Sequence, residues 1–371
     1  MTKLWILLAV SLALAKWIDL RDQELSCHRS DGRDNLITWM LILVLGFFCG
    51  LRTSGNDTST YIYMFEQVPY LNEYSLWRGY GYAEGMVFGL VLSLIKTLGF
   101  SAQDYLVFFA FATVIPYILF IRRFSGSMVF GVFLMFSTGF YTFTLAAIKQ
   151  CMATALCLLA VMAAVDGKWG KYLLLVGLGS MFHPYSMVYL IVPLMMFKPW
   201  TYRTFIWMAV FMAVGFYLES LLGTVLDITD MMGADYTEEE FLGEGVNLFR
   251  VGVSFVPLIL AMLYGKKLFE GSTKTDHLLF NLAMVNALIM FVGLFGTANY
   301  FARLANYFLP AQVIVLPWIL RKAHPRDRAW LVPACIAGYL GYFIYENAII
   351  RPFELHYKHI SFWSYLPDLF S

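Results

Sequence analysis

The chain has 371 residues, of which 60% are hydrophobic and only 14% charged, and its mean hydropathy is +0.67. A soluble domain carries about 25% charged residues, so a water-soluble globular class is excluded. The net charge of +1 likewise excludes a basic nucleic-acid-binding protein or a polybasic surface.

Apolar runs of about 15 to 20 residues recur along the chain, which is the pattern of a protein that crosses a bilayer many times. Backbone groups in hydrocarbon must be satisfied internally, so these runs are expected as helices. The first, "MTKLWILLAVSLALAKW", imitates a secretory leader with Lys3, an apolar stretch and Ala13-x-Ala15. With a dozen runs to follow, it reads as a retained first helix. Spans are expected near 2–18, 36–51, 104–121, 128–145, 149–165, 171–183 and 184–198, then near 204–222, 248–264, 277–296, 303–320 and 329–346. The fold class is therefore all-α, a polytopic membrane protein of about 12 transmembrane helices in one domain, 1–371.

Lys and Arg set the orientation. Six loops hold 17 of the 26 basic residues: 15–35 (with Arg29 and Arg33), 122–127, 166–171, 198–203, 265–276 and 321–328. These are expected on the cytoplasmic side, with both termini outside. The piece "EGMVFGLVLSLIKTLGF", 84–99, does not fit as a crossing, because it would reverse the side of every later loop. It is expected as a re-entrant or surface-lying helix on the outer side. The outer loop 223–247 holds seven acids, including Asp227, Asp230, Asp235 and Glu244, and reads as a solvated loop. The tail "FELHYKHISFWSYLPDLF" reads as an aromatic belt or amphipathic helix at the interface, with His356 and His359 as surface residues. Cys49, Cys151, Cys157 and Cys335 lie in apolar runs without a C-x-x-C pair and read as small core residues.

A charge at the bilayer centre costs on the order of 2.5–3.5 kcal/mol, so charges at span ends are informative. On the outer side these are Arg52, Asp57, Glu84, Lys149 beside Gln150, His183 before Pro184, and Arg303. Cations with carboxylates and one imidazole near a membrane surface suit a lipid-linked phosphate, which arginine binds through its planar fork. His183, Asp57 and Glu84 are the groups able to handle a proton. The closest approach to a metal-binding acid pair, Asp227-x-x-Asp230, lies in a different loop, so no metal and no cofactor are expected.

The stretch "GLRTSGNDTSTYIYMF" resembles the opening signature of the EpsG family, membrane proteins of bacterial exopolysaccharide synthesis related to Wzy-type polymerases. "YAEGMVFGLVLSLIKTLG", "AAIKQCMATALCLLAV", "GSMFHPYSMVYL" and "YFARLANYF" resemble later segments of that family, in order, over positions 50 to 308. Lys149 stands where the family usually has arginine. The resemblance implies a glycosyltransferase of GT-C-like architecture that joins oligosaccharide repeat units carried on undecaprenyl diphosphate. Donor and acceptor would both be lipid-linked, at the outer face of a bacterial inner membrane, with a chain-length regulator protein as a further partner. In that setting Arg52, Arg303, Lys149 and Gln150 would bind the lipid diphosphate, and His183, Asp57 or Glu84 would act on the acceptor hydroxyl. An O-antigen-ligase-like enzyme, a polysaccharide flippase and a membrane acyltransferase are the competing readings. A flippase would show pseudo-symmetric halves and polar residues near the midplane, and neither is visible.

Overall fold

The computed structural model describes residues 1–27, 35–74, 85–231, 237–241, 243, 245–353 and 357–369. Glu84, Arg29, Arg33, Asp235, Glu244 and His356 lie outside the described residues. Among the described residues the chain is helical, and its extended pairing is limited to two isolated bridges.

Among the described residues four helices are long and apolar enough to cross a membrane. They are α5 (Ala102–Phe124), α8 (Ile148–Val165), the stretch Leu248–Phe269 that contains α13 (Leu248–Tyr264), and α14 (Lys274–Val292). The count becomes six if each of two bent helix pairs is one span. The other expected spans take different forms. Helix α1 (Thr2–Cys27) is about 39 Å long at 1.5 Å per residue but carries Lys3, Lys16 and Asp19 along its length. Helix α2 (Asn35–Gly50) has 16 residues. The run 128–145 divides at Gly139, whose φ of 79° ends α6 (Met128–Ser137) before a short turn, α7 (Phe140–Phe143).

Two more departures are breaks. The run 204–222 ends early as α10 (Tyr202–Phe216), and the chain then turns by 84° into Glu219–Met231, which contains α11 (Leu222–Met231). Part of the expected acidic loop is thus helical, and Glu238–Phe241 forms a further turn, α12. The run 303–320 is bent by 56° between α15 (Ala298–Asn306) and α16 (Leu309–Lys322). Pro310 sits in the first turn of α16, where its missing N–H has no helical partner to lose. The break at Pro184 falls where the sequence places it. Helix α9 (Trp169–Phe182) stops, His183 is extended at φ −154°, and a 3-10 segment, Pro184–Met195, follows.

The basic loops gather at one end of the bundle. Arg122 bonds Asp22 at 3.2 Å and also Thr38, Arg123 pairs with Asp166, and Arg321 donates to the Ser125 carbonyl at 2.8 Å. Lys322 donates to the carbonyls of Leu268 and Glu270, and Trp200 packs near Phe280, which meets Phe269 edge-on. Asp19 of α1 accepts the N–H groups of Met128 and Val129, supplying negative charge to the start of α6. Trp17, Trp39, Trp169, Tyr202 and Trp330 are exposed near this end, as in the aromatic girdle of a membrane interface. Helix α10 exposes Phe205, Ile206, Val210, Met212 and Phe216, a stripe suited to hydrocarbon rather than water.

At the other end, α4 (Met86–Thr97) is about 18 Å long, short of the roughly 30 Å hydrocarbon core. It begins at Gly85, where an added Cβ would lie 2.7 Å from the Phe182 carbonyl, so only glycine fits its φ of 86° and this approach. It finishes beside the start of α5, whose Gln103 donates to the Gly50 carbonyl at 2.5 Å. Both ends of α4 are therefore at the end away from the basic loops. The tail also returns here. Thr53 and Ile360 donate to the carbonyls of Lys358 and Leu51 at 2.9 and 3.0 Å, and Tyr365 of α18 (Phe362–Leu369) donates to Asp104 at 2.6 Å. His359 is not a surface residue: its ring lies against Phe48 and Phe353, with centroids 4.5 and 6.4 Å away. That strand-like pairing with Leu51–Thr53 turns it inward.

Candidate functional site

Helix α15 is the element around which this end is built. Its nine residues include Arg303 in the last turn, and a helix this short is marginal without outside support. Support comes at its C-terminal carbonyls, which have no helical partner because the helix breaks after Asn306. Gln150 of α8 donates to Arg303 O at 2.6 Å, Asn286 of α14 to Ala305 O at 2.6 Å, and the Tyr189 hydroxyl to Tyr307 O at 2.6 Å. Tyr189 O in turn accepts from the Tyr172 hydroxyl at 2.7 Å. Each such bond contributes about 1 kcal/mol net, and together they fix α15 to three neighbouring elements.

Beside α15 opens a cavity of about 610 Å³. Its walls come from the turn after α2 (Asn56, Asp57), the α6–α8 connection (Thr138, Thr142), α13 (Arg250, Ser254) and α14 (Asn286). Helices α15 (Asn299, Arg303) and α16 (Gln312), the end of α17 (Pro325–Ile344) and the π-helical stretch Tyr345–Ile350 complete it. Among the described residues three guanidinium groups (Arg250, Arg303, Arg351) and two carboxylates (Asp57, Glu346) line it. Its floor is a side-chain network in which Gln312 donates to Asn286 at 2.7 Å and to the Ser254 carbonyl at 2.5 Å. Asn56, at φ 44°, donates to the Tyr357 hydroxyl at 2.7 Å and ties the tail into the wall. A cavity so dense in amides, hydroxyls and charges at the end of a membrane bundle suits a charged, hydroxyl-rich ligand. Among the described residues no group of three or more His, Cys, Asp or Glu could hold a metal ion.

The residues singled out in the sequence divide into two sets. Asp57 and Arg303 line the cavity, both exposed to it. Arg52, Lys149, Gln150 and His183 do not line it. Arg52 is 1% exposed and bonds its own turn: Nη1 donates to the Cys49 carbonyl at 2.6 Å and Nε to the Thr58 hydroxyl at 3.2 Å. Its Nη2 makes no hydrogen bond among the described residues, and the side chain borders a void of about 10 Å³, the space of one water. Lys149 lies over the Phe88 ring at 5.2 Å. Gln150 spends its amide on the Arg303 carbonyl. His183 Nδ1 bonds the Tyr307 hydroxyl at 2.9 Å, so the two helix breaks, before Pro184 and after Asn306, meet through these side chains. Glu84 lies outside the described residues, though Gly85 next to it packs on Phe182.

Sequence reading passed over Arg250, Glu346 and Arg351. Arg250 forms a two-pronged pair with Glu346, Nε to Oε1 at 2.7 Å and Nη2 to Oε2 at 2.6 Å. The signal was present: opposite charges stand at the same-side ends of two apolar runs, 248–264 and 329–346.

The fold and this cavity define a helical membrane protein with a polar, charged cavity at one end of its bundle. The chain belongs to the EpsG family, whose model matches residues 35–360. Membership suggests a polymerase-type role in polysaccharide synthesis. No curated protein and no solved structure matches the chain.

Proposed function

We propose that this protein is a polysaccharide polymerase that joins oligosaccharide repeat units carried on undecaprenyl diphosphate. The observation that carries the reading is the meeting of Asp57 and Arg303 in one cavity of a chain belonging to the EpsG family. A hydroxyl oxygen of the incoming lipid-linked unit attacks the anomeric carbon of the growing glycan. The bond from that carbon to the phosphate oxygen breaks, and its electron pair leaves with the lipid diphosphate. Arg303 faces the charge that develops on the leaving group, where a cation already in place lowers the barrier most. Asp57 takes the acceptor proton. His183, behind α15, positions the helix through Tyr307 rather than meeting the substrate. The cavity opens on the outer face of the inner membrane, the basic end stays in the cytoplasm, and the chain crosses the bilayer about twelve times in a GT-C-like arrangement. A chain-length regulator is a partner suited to this role.

The test is reconstitution. Purified protein in vesicles, given undecaprenyl-diphosphate-linked repeat units and no ion gradient, should produce a ladder of polymers. Arg303→Gln and Asp57→Asn should abolish the ladder without loss of folded protein. Movement of lipid-linked units across the vesicle without polymer would instead identify a flippase.

A further inference from the structure

The proposed chemistry uses Arg303 and Asp57 and leaves a second charged wall of the same cavity unexplained. That wall is built by Arg250, Glu346, Tyr342 and Arg351. Glu346 lies in the π-helical turn that follows α17, a local irregularity that recurs at functional sites. The wider turn brings Glu346 to Arg250, with Tyr342 lining the same cavity beside them.

A partly buried ion pair is a weak source of stability, since apolar replacements of similar volume are often neutral or better. What the pair does supply is aim. Two of the three guanidinium nitrogens of Arg250 are committed to Glu346, and Nη1 is not engaged in that pair. Arg250 and Glu346 remain 27% and 16% exposed, while Arg351 is exposed on the same cavity. With Glu346 balancing Arg250, and Asp57 balancing Arg303, Arg351 leaves the lining with one positive charge in excess among the described residues.

We infer that Arg250 and Arg351 form a second oxyanion subsite, with Glu346 as the positioning residue that aims Arg250. The ligand group is a carboxylate or phosphate of the substrate, bound by guanidinium donors as in other oxyanion sites. Its source is either an acidic sugar of the repeat unit or the diphosphate itself. This inference rests on the polymerase reading, because it assigns a second group of the same substrate.

Binding to the purified full chain in detergent separates the outcomes, with methyl glucuronide and inorganic diphosphate as probes, followed by saturation-transfer and phosphorus NMR. If the subsite takes an acidic sugar, Arg250→Gln weakens glucuronide binding at least tenfold and leaves diphosphate binding unchanged. Arg303→Gln then does the reverse. If it takes phosphate, both variants weaken diphosphate binding at least tenfold. In either case Glu346→Gln lowers affinity for the same probe as Arg250→Gln, by a smaller factor, and Arg250→Lys does not restore it. Should Arg250→Gln not fold, as judged by its melting transition, Arg250→Lys and Arg351→Gln carry the same comparison. Unchanged binding of both probes in the folded Arg250 and Arg351 variants overturns the subsite. If diphosphate binding still depends on Arg303, the polymerase reading stands without it. Glucuronide binding that depends on Arg250, with no diphosphate binding to the wild-type protein, preserves the subsite and removes the proposed donor chemistry.

Discussion

Gln150 and Arg303 are joined by a 2.6 Å hydrogen bond from the side-chain amide of one to the main-chain carbonyl of the other. The bond leaves the Arg303 guanidinium free to face the cavity while its backbone is held by α8. Gln150→Leu should therefore act on Arg303 at a distance. We expect a loss of polymerisation of at least tenfold and a stability loss of about 1–3 kcal/mol, the cost of leaving a buried acceptor unmade. Polymer yield and a chemical melt on the same preparation check both numbers.

Arg303 and Arg52 should respond differently to the same change. Arg303→Lys keeps the charge and loses the fork, so the rate should fall about tenfold, or about 1.4 kcal/mol of transition-state stabilisation, with the melting temperature unchanged. Arg52 is buried and bonds Cys49 and Thr58. Arg52→Lys should lower the melting temperature and the yield of folded protein. Equal melting temperatures for the two variants would contradict this division.

Asp57→Asn retains size and hydrogen bonding but cannot accept a proton near neutrality. The expected loss in rate is 10²-fold to 10⁴-fold, the usual contribution of general acid–base catalysis, with lipid-linked donor still bound. Single-turnover assays with preloaded donor measure this step apart from binding.

His183→Gln keeps a partner for the Tyr307 hydroxyl and should retain more than a third of the wild-type rate. His183→Leu removes that partner and should cost about 1–3 kcal/mol of stability. A hundredfold rate loss in a folded His183→Gln protein would return the role of base to the imidazole.

Orientation is open to labelling. In a cysteine-free background, single cysteines in α11 should react with an impermeant maleimide on intact spheroplasts, and cysteines in 265–276 should not. The opposite pattern would place the cavity in the cytoplasm.

The gathering of the basic loops was legible because charge bias acts along the sequence, loop by loop. Asp57 and Arg303 were legible for a related reason, as charges at the ends of apolar runs. Side-chain direction was not. Gln150 and Lys149 are neighbours on α8, yet one caps a helix and the other lies on an aromatic ring. No period or spacing separates those fates. The Arg250–Glu346 pair needs two helices 96 residues apart to lie side by side, which is a fact of packing. The breaks at Gly139 and after Asn306 interrupt runs whose hydropathy is continuous, so composition alone reads through them.

The bond between Asn56 and Tyr357 spans 301 residues, and both residues line the cavity. During synthesis Asn56 enters the membrane long before Tyr357 leaves the ribosome. The nascent chain therefore travels most of its insertion with the chamber unwalled on one side. The chamber gains its last wall only when the tail docks against the turn that began it.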